Sequence, residues 1–359
     1  MKKINVLKKL TDTLDRLTGA DYPQIYLHPE SGLHQHMQKL TQLNAKYRPT
    51  PWLFNEHLQL LYFDLVKKRF IRQQYDHIDY LKMQDGGETA ITWVGSHLPA
   101  DTPTIVILHT ITGSPSSMRE LVRDLHRFTG WRIALCVRRG HADLNFSIPQ
   151  FNLFGSTADL KEQLDFIRLK LPQSDLYAVG SSAGSGLLVR YLGEVADQSC
   201  FKAAFAFCPG YNIETGFDKV HPVYSRYIAR KIINRFVKKH LQGWSHVDNL
   251  KELLTSKNLT EFHLRYYQLA GFSNYQDYTL ATNPMHVFKQ IKVPLMVLNS
   301  QDDPVCHIDN FAPYLPEIQA MQNIAVVTTK KGSHCAFYEG WRTQSWATKL
   351  MADFFLSQK

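Results

Sequence analysis

Leu7, Leu10, Leu14 and Leu17 recur at three- and four-residue spacing ahead of Gly19, the period of a short amphipathic helix closed by glycine. The period then changes. Between Ile78 and Val94 a strand pattern is interrupted by Asp85-Gly86-Gly87, turn chemistry that predicts a hairpin. Apolar runs at Thr104–His109, Ile133–Val137, Leu176–Val179, Ala203–Phe207, Pro294–Leu298 and Ile324–Thr328 read as buried strands, most of them separated by helical stretches. This alternation predicts a mainly parallel central sheet with helices on both faces, because parallel connections must cross over the sheet. From Ala206 to Val293 the alternation lapses into sequence rich in aromatic and basic side chains, which predicts an inserted helical cap. Trp346, Leu350 and Phe354, four residues apart, predict a closing helix docked on the sheet. The expected division is an N-terminal helical segment over 1–75, an α/β core from 76–210 and 288–359, and a helical cap over 211–287.

Composition narrows this picture only slightly. The 359 residues, 44% hydrophobic and 20% charged, contain no repeat or low-complexity tract and read as globular throughout. A net charge of +9 favours anionic surfaces; with no nucleic-acid motif present, the partner it suggests is an anionic membrane touched peripherally. Five cysteines, an odd number without CxxC spacing, suggest reduced thiols and a cytoplasmic setting. No apolar stretch follows Lys2, Lys3, Lys8 and Lys9 or approaches the ~20 residues of a membrane span, so neither signal peptide nor spanning helix is expected.

The chemistry concentrates after the third core strand. Leu176-Tyr177-Ala178-Val179 runs into Gly180-Ser181-Ser182-Ala183-Gly184, and an amphipathic stretch through Leu187, Leu188 and Tyr191 follows. Strand, GxSxG and helix in that order form a nucleophile elbow, whose strained serine needs small neighbours so that the two backbones can approach. The register selects Ser182 over Ser181 and Ser185. A serine hydroxyl attacks only when an imidazole takes its proton, and that imidazole needs a carboxylate to hold its tautomer. Asn299-Ser300-Gln301-Asp302-Asp303-Pro304 and Gly332-Ser333-His334 follow the last two core strands, in the chain order Ser, Asp, His. His334 is therefore the expected base, while Asp302 and Asp303 both stay open, since either could simply begin a turn at Pro304. Two backbone N–H donors are needed for the oxyanion. Ala183 supplies one, and Ile111 in the His109-Thr110-Ile111-Thr112-Gly113 loop supplies the other, with His109 read as a residue that shapes the loop.

Beyond the elbow, Pro51-Trp52-Leu53-Phe54-Asn55-Glu56-His57-Leu58-Gln59, Asp85-Gly86-Gly87 through Trp93, Arg139-Gly140, Asp302-Asp303-Pro304 and Gly332-Ser333-His334-Cys335-Ala336-Phe337 resemble the AB-hydrolase-4, or YheT-like, family, in the same order over residues 49 to 359. The resemblance implies an α/β-hydrolase fold and places the catalytic triad on Ser182, Asp303 and His334, the aspartate being the one before proline. Its members include bacterial predicted esterases, yeast medium-chain ethyl-ester synthase/esterases and animal lipid hydrolases. Thr110 stands where that family has glycine, a position at which a side chain disfavours positive φ.

In the cap, Tyr224, Ile228, Ile232 and Phe236 form a stripe with Arg226, Arg230, Lys231, Arg235, Lys238 and Lys239 largely on other faces. Such a helix can lie on anionic lipid, cover an acyl pocket, or pack its stripe on the core. His28, His34 and His36 lack metal-ligand spacing, and no G-x-G-x-x-G follows a strand, so neither metal nor dinucleotide cofactor is expected. The expected protein is a cofactor-independent serine hydrolase cleaving small-molecule acyl esters through an acyl-Ser182 intermediate. The alternatives are an acyltransferase using the same intermediate and a hydrolase-fold ligand-binding protein without turnover.

Overall fold

The computed structural model describes residues 2–359. Its central sheet has nine strands: β1 (Gln24–Leu27), β2 (His77–Lys82), β3 (Glu88–Val94), β4 (Thr104–Leu108), β5 (Arg132–Val137), β6 (Leu176–Ser181), β7 (Phe201–Phe207), β8 (Leu295–Ser300) and β9 (Ile324–Thr329). Their order is β1-β9-β8-β7-β6-β4-β5-β3-β2. Strands β4 to β9 pair in parallel. The β2–β3 hairpin and β1 pair antiparallel.

Successive residues of a strand point to opposite faces, and here both faces are covered, which is why the central strands are apolar throughout. Ile105, Ile107, Ile133 and Leu135 pack in one core, together with residues of helices Arg119–Thr129 and Trp346–Ser357. Val106, Leu108, Ala134 and Cys136 pack in the other, with helices Thr157–Lys170 and Ala183–Val195. The closing helix docks as its four-residue spacing predicts, with Trp346, Leu350 and Phe354 all buried.

Two features of the N-terminal segment depart from expectation. Read as helical over 1–75, it contains β1, whose Gln24 to Leu27 pair with Thr328 to Ala325 and cover the outer edge of β9. Four residues are too few to show a period, and only the exposed edge of β9 makes them a strand. The first helix, Lys2–Thr18, does form and ends at Gly19 with φ 71°. Of its leucine stripe, Leu14 and Leu17 are exposed, and the side chains of Leu7 and Leu10 lie outside the described residues. The buried face instead carries Asp15, held by Arg48 Nε at 2.8 Å and Lys46 Nζ at 3.3 Å.

Between β7 and β8 the chain forms helices only, beginning with Ile213–Gly216 and the longer Pro222–Ile232. They share a separate hydrophobic core that includes Ile232, Phe236, Trp244, Phe262 and Tyr278. That core also takes in Phe151, Leu153 and Phe154 from the loop after β5, so the cap's packing extends beyond 211–287. The stripe of helix Pro222–Ile232 faces inward, with Ile232 and Phe236 buried, while Arg226, Arg230, Arg235 and Lys238 are exposed. Tyr224 and Ile228, the other half of the stripe, are half-buried, so the stripe packs largely on the protein. Among the described residues no helix is long and apolar enough to cross a membrane.

Candidate active site

Ser182 stands between the end of β6 and the first turn of helix Ala183–Val195, at φ 53° and ψ −117°. A non-glycine residue held there costs about 1–3 kcal/mol, which the surrounding packing must offset. The flanking glycines follow from the same closeness. A Cβ on Gly180 would lie 2.5 Å from the Gly184 carbonyl oxygen, and one on Gly184 would collide with the Leu108 carbonyl. Ser182 N–H donates to the Phe207 carbonyl at 2.8 Å, while Ser185 Oγ donates to Gly180 and Phe207 carbonyls at 2.7 and 3.0 Å. Ser181 Oγ lies 3.5 Å from Cys335 Sγ. Of the three serines, Ser182 alone reaches the imidazole.

His334 Nε2 lies 2.9 Å from Ser182 Oγ, and His334 Nδ1 lies 2.8 Å from Asp303 Oδ2. The other oxygen of Asp303 accepts from the N–H groups of Val305 and Cys306 at 2.7 and 2.8 Å, which locks the carboxylate in a turn after β8. Asp302 faces elsewhere. Its Oδ1 accepts from Ser300 Oγ and from the Ser333 N–H, both at 2.9 Å, so it braces the loop that carries His334. Burial raises the Asp302 carboxyl, partly opposed by those two hydrogen bonds and by Lys331. Burial also pushes the His334 imidazole down, but the facing Asp303 carboxylate, aided by Cys335 and Cys306, outweighs it and holds the imidazole well above its ordinary value.

The loop after β4 is shaped by His109, as read from the sequence, and by Arg138 and His141, which sequence reasoning missed. His109 Nε2 accepts from the Arg138 backbone N–H at 3.2 Å, which leaves the ring proton on Nδ1 to donate to the Thr110 carbonyl at 2.8 Å. The buried Arg138 guanidinium donates from Nη1 to the His109 carbonyl at 2.8 Å and from Nη2 to the Thr110 carbonyl at 2.6 Å. Burial pushes Arg138 down to about 9. Behind it, His141 Nδ1 lies 2.9 Å from the Arg139 carbonyl and Nε2 3.0 Å from the Ile111 carbonyl, and burial with the Arg138 charge pushes that imidazole down to about 3. An arginine directly after a buried strand looks like any exposed strand-end charge. The only available signal was its place beside Arg139-Gly140, and Arg139 itself spans Asp85 at 2.6 Å and Asp159 at 2.7 Å.

Thr110 is not among the residues with positive φ, so its side chain brings no backbone strain to the loop. Ala183 opens its helix and therefore has no intrahelical acceptor for its N–H. The Ile111 N–H has no acceptor among the described residues. Both residues border a cavity that reaches Ser182 and is walled by Phe154, Ile213, Phe217 and Val220. A second cavity meets the first at Ser182, Ile111, Ile228 and Val305.

Sheet order, elbow and helical insertion together define an α/β hydrolase. The chain belongs to the alpha/beta hydrolase fold family, matched over residues 103–340. It is 27% identical over 346 residues to the phospholipase ABHD3 of Bos taurus, covering 91% of this chain and 82% of that protein. The medium-chain fatty acid ethyl ester synthase/esterase 2 of Saccharomyces cerevisiae is 30% identical over 286 residues, covering 71% of this chain and 62% of that protein. Among solved structures, an esterase of Pyrobaculum calidifontis shares the fold with a TM-score of 0.53 at 15% identity, covering 85% of this chain and 92% of that one.

Proposed function

We propose that this protein is a serine carboxylic-ester hydrolase of the AB-hydrolase-4 (YheT-like) branch, acting on acyl esters without a cofactor. The observation that carries the reading is the hydrogen-bonded line from Ser182 Oγ through His334 to Asp303, 2.9 and 2.8 Å long. Ser182 Oγ attacks the ester carbonyl as His334 Nε2 takes its proton, and Asp303 stabilises the imidazolium. The N–H groups of Ala183 and Ile111 hold the oxyanion. When the intermediate collapses, His334 returns the proton to the departing alkoxide. Water, deprotonated by the same imidazole, then releases the acid from acyl-Ser182. The names of the relatives, a phospholipase and an ester synthase/esterase, support acyl esters as the substrate class.

The one feature that favoured a ligand-binding protein without turnover was Thr110, and its ordinary φ removes that reason. Labelling by a fluorophosphonate probe tests the proposal. The wild-type protein is expected to label at Ser182 and to hydrolyse ethyl octanoate, and Ser182→Ala is expected to lose both, with turnover falling ~10⁴-fold or more. An unlabelled wild-type protein, or a Ser182→Ala variant that still turns over, overturns it.

A further inference from the structure

We infer that the esters taken here carry a hydrocarbon chain on the alcohol side as well as the acyl side, and that the second cavity holds it; this rests on the serine-hydrolase reading above. The two cavities share Ser182 and the Ile111 oxyanion donor and divide the other reacting groups between them. Ala183, an oxyanion donor, borders only the first, and His334 borders only the second. A departing alkoxide must take its proton from His334 Nε2, so the alcohol extends into the second cavity and the acyl chain into the first. An alcohol of two carbons would need little of what lies there. Leu60, Leu61, Phe63 and Leu65 wall one side, and Val223 and Tyr227 of helix Pro222–Ile232 wall the other. The walls touch where the Tyr227 hydroxyl donates to Asp64 Oδ2 at 3.3 Å. Around the mouth Leu61, Leu65, Val223 and Tyr227 remain 50, 61, 56 and 51% exposed. Large apolar side chains gathered at the entrance to a reactive serine lose that exposure when a hydrocarbon lies between them.

The test is a series of octanoate esters of ethanol, butanol, hexanol and octanol, assayed below their aggregation limits. At full burial kcat/KM is expected to rise roughly threefold per added methylene, flattening as the cavity fills. Leu61→Asp, and independently Val223→Asp on the opposite wall, should lower the octyl-to-ethyl ratio of kcat/KM by about fivefold or more. A flat or falling series with the ethyl ester still cleaved overturns this inference and leaves the serine-hydrolase reading standing. No cleavage of any member, with no fluorophosphonate labelling, overturns both.

A second inference stands on different atoms: the geometry points to Cys335 and Cys208 as an oxidation site within the active site. Cys335 follows His334 directly and borders the second cavity, and Cys208, just past β7, is buried. Their sulfurs and a ring nitrogen of His334 lie within 4.8 Å of one another, and the Cys335 N–H donates to Cys208 Sγ at 3.3 Å. Both residues are free thiols at positive φ, 59° and 50°. The ester reaction uses neither. Burial raises the Cys335 thiol, but the Cys208 sulfur and His334 outweigh it and draw it down to about 5.

A peroxide entering through the cavity is attacked by the Cys335 thiolate. The O–O bond breaks, hydroxide leaves as water with the thiol's proton, and a sulfenic acid remains. Cys208 sulfur then attacks that sulfur, and the second oxygen leaves as water with the Cys208 proton. Two thiols are oxidised to one disulfide while the peroxide is reduced to two waters. Drawing the sulfurs to bonding distance displaces the residue bonded to His334, and turnover falls. After stoichiometric hydrogen peroxide, mass spectrometry is expected to find a Cys208–Cys335 link. Ethyl octanoate turnover should fall about tenfold or more and return with dithiothreitol. Cys208→Ser should stop at the sulfenic or higher acids without the link. A wild-type protein that forms no such link, or forms it with turnover unchanged, overturns the inference.

Discussion

Arg138 Nη2 donates to the Thr110 carbonyl at 2.6 Å, so a guanidinium buried beneath the sheet's end sets the backbone from which the Ile111 N–H projects. Arg138→Ala should therefore lower kcat with little change in KM, since in the proposed mechanism the Ile111 N–H that it positions acts on the developing oxyanion rather than on the bound ester. The expected loss is about 10²-fold, with some stability lost as well because the buried His109 carbonyl loses the Arg138 donor. Arg138→Lys, which restores the charge but not the fork, should recover only part of kcat. Steady-state kinetics on one ester with all three proteins checks this; a pure KM effect would remove Arg138 from the positioning of the loop.

The two adjacent acids should behave differently. Asp303→Asn removes the carboxylate that holds the His334 tautomer and is expected to cost about 10⁴-fold in kcat. Asp302→Asn keeps an acceptor for Ser300 Oγ and the Ser333 N–H and should cost less than about tenfold. Comparing the two purified variants decides it, and an Asp302 variant as inactive as the Asp303 one would contradict the geometry.

The pH profile follows from His334. A protonated imidazole cannot accept the Ser182 proton, so activity is lost as pH falls through the raised value of that group. The acid limb of kcat/KM should therefore lie above the ordinary histidine value of about 6.5. In Asp303→Asn the chief raising influence is gone, and the residual activity should keep its limb at lower pH. A wild-type midpoint below the ordinary histidine value would contradict this assignment of charges.

Gly184 can be tested through stability alone. Gly184→Ala drives a Cβ into the Leu108 carbonyl, a backbone atom that cannot swing aside, so the variant should unfold several degrees lower than wild type or fail to accumulate. Gly186→Ala, in the same helix with its nearest neighbour at 3.9 Å, should leave the melting temperature close to wild type. Thermal melts of the pair measure the difference.

Much of this protein is written locally. The buried strands, the hairpin at Asp85-Gly86-Gly87 and the closing helix all show in the sequence because burial on one face or two imposes a period on neighbouring residues. The elbow shows for a similar reason: a serine at φ 53° between packed backbones requires Gly180 and Gly184 at fixed offsets. Other features depend on partners distant in the chain and leave no period. Gln24–Leu27 is a strand because β9 offers an edge, and helix Lys2–Thr18 docks through Asp15 because Arg48 and Lys46 come to meet it. Asp302 and Asp303 are equivalent as letters, yet the turn at Pro304 sends one to the Ser333 backbone and the other to His334. Arg138 acquires its place only when β4 and β5 lie side by side. The cavities, too, belong to tertiary structure, because their walls join residues 60–65, the loop after β4 and the cap helix, segments whose own patterns record burial but not what they enclose.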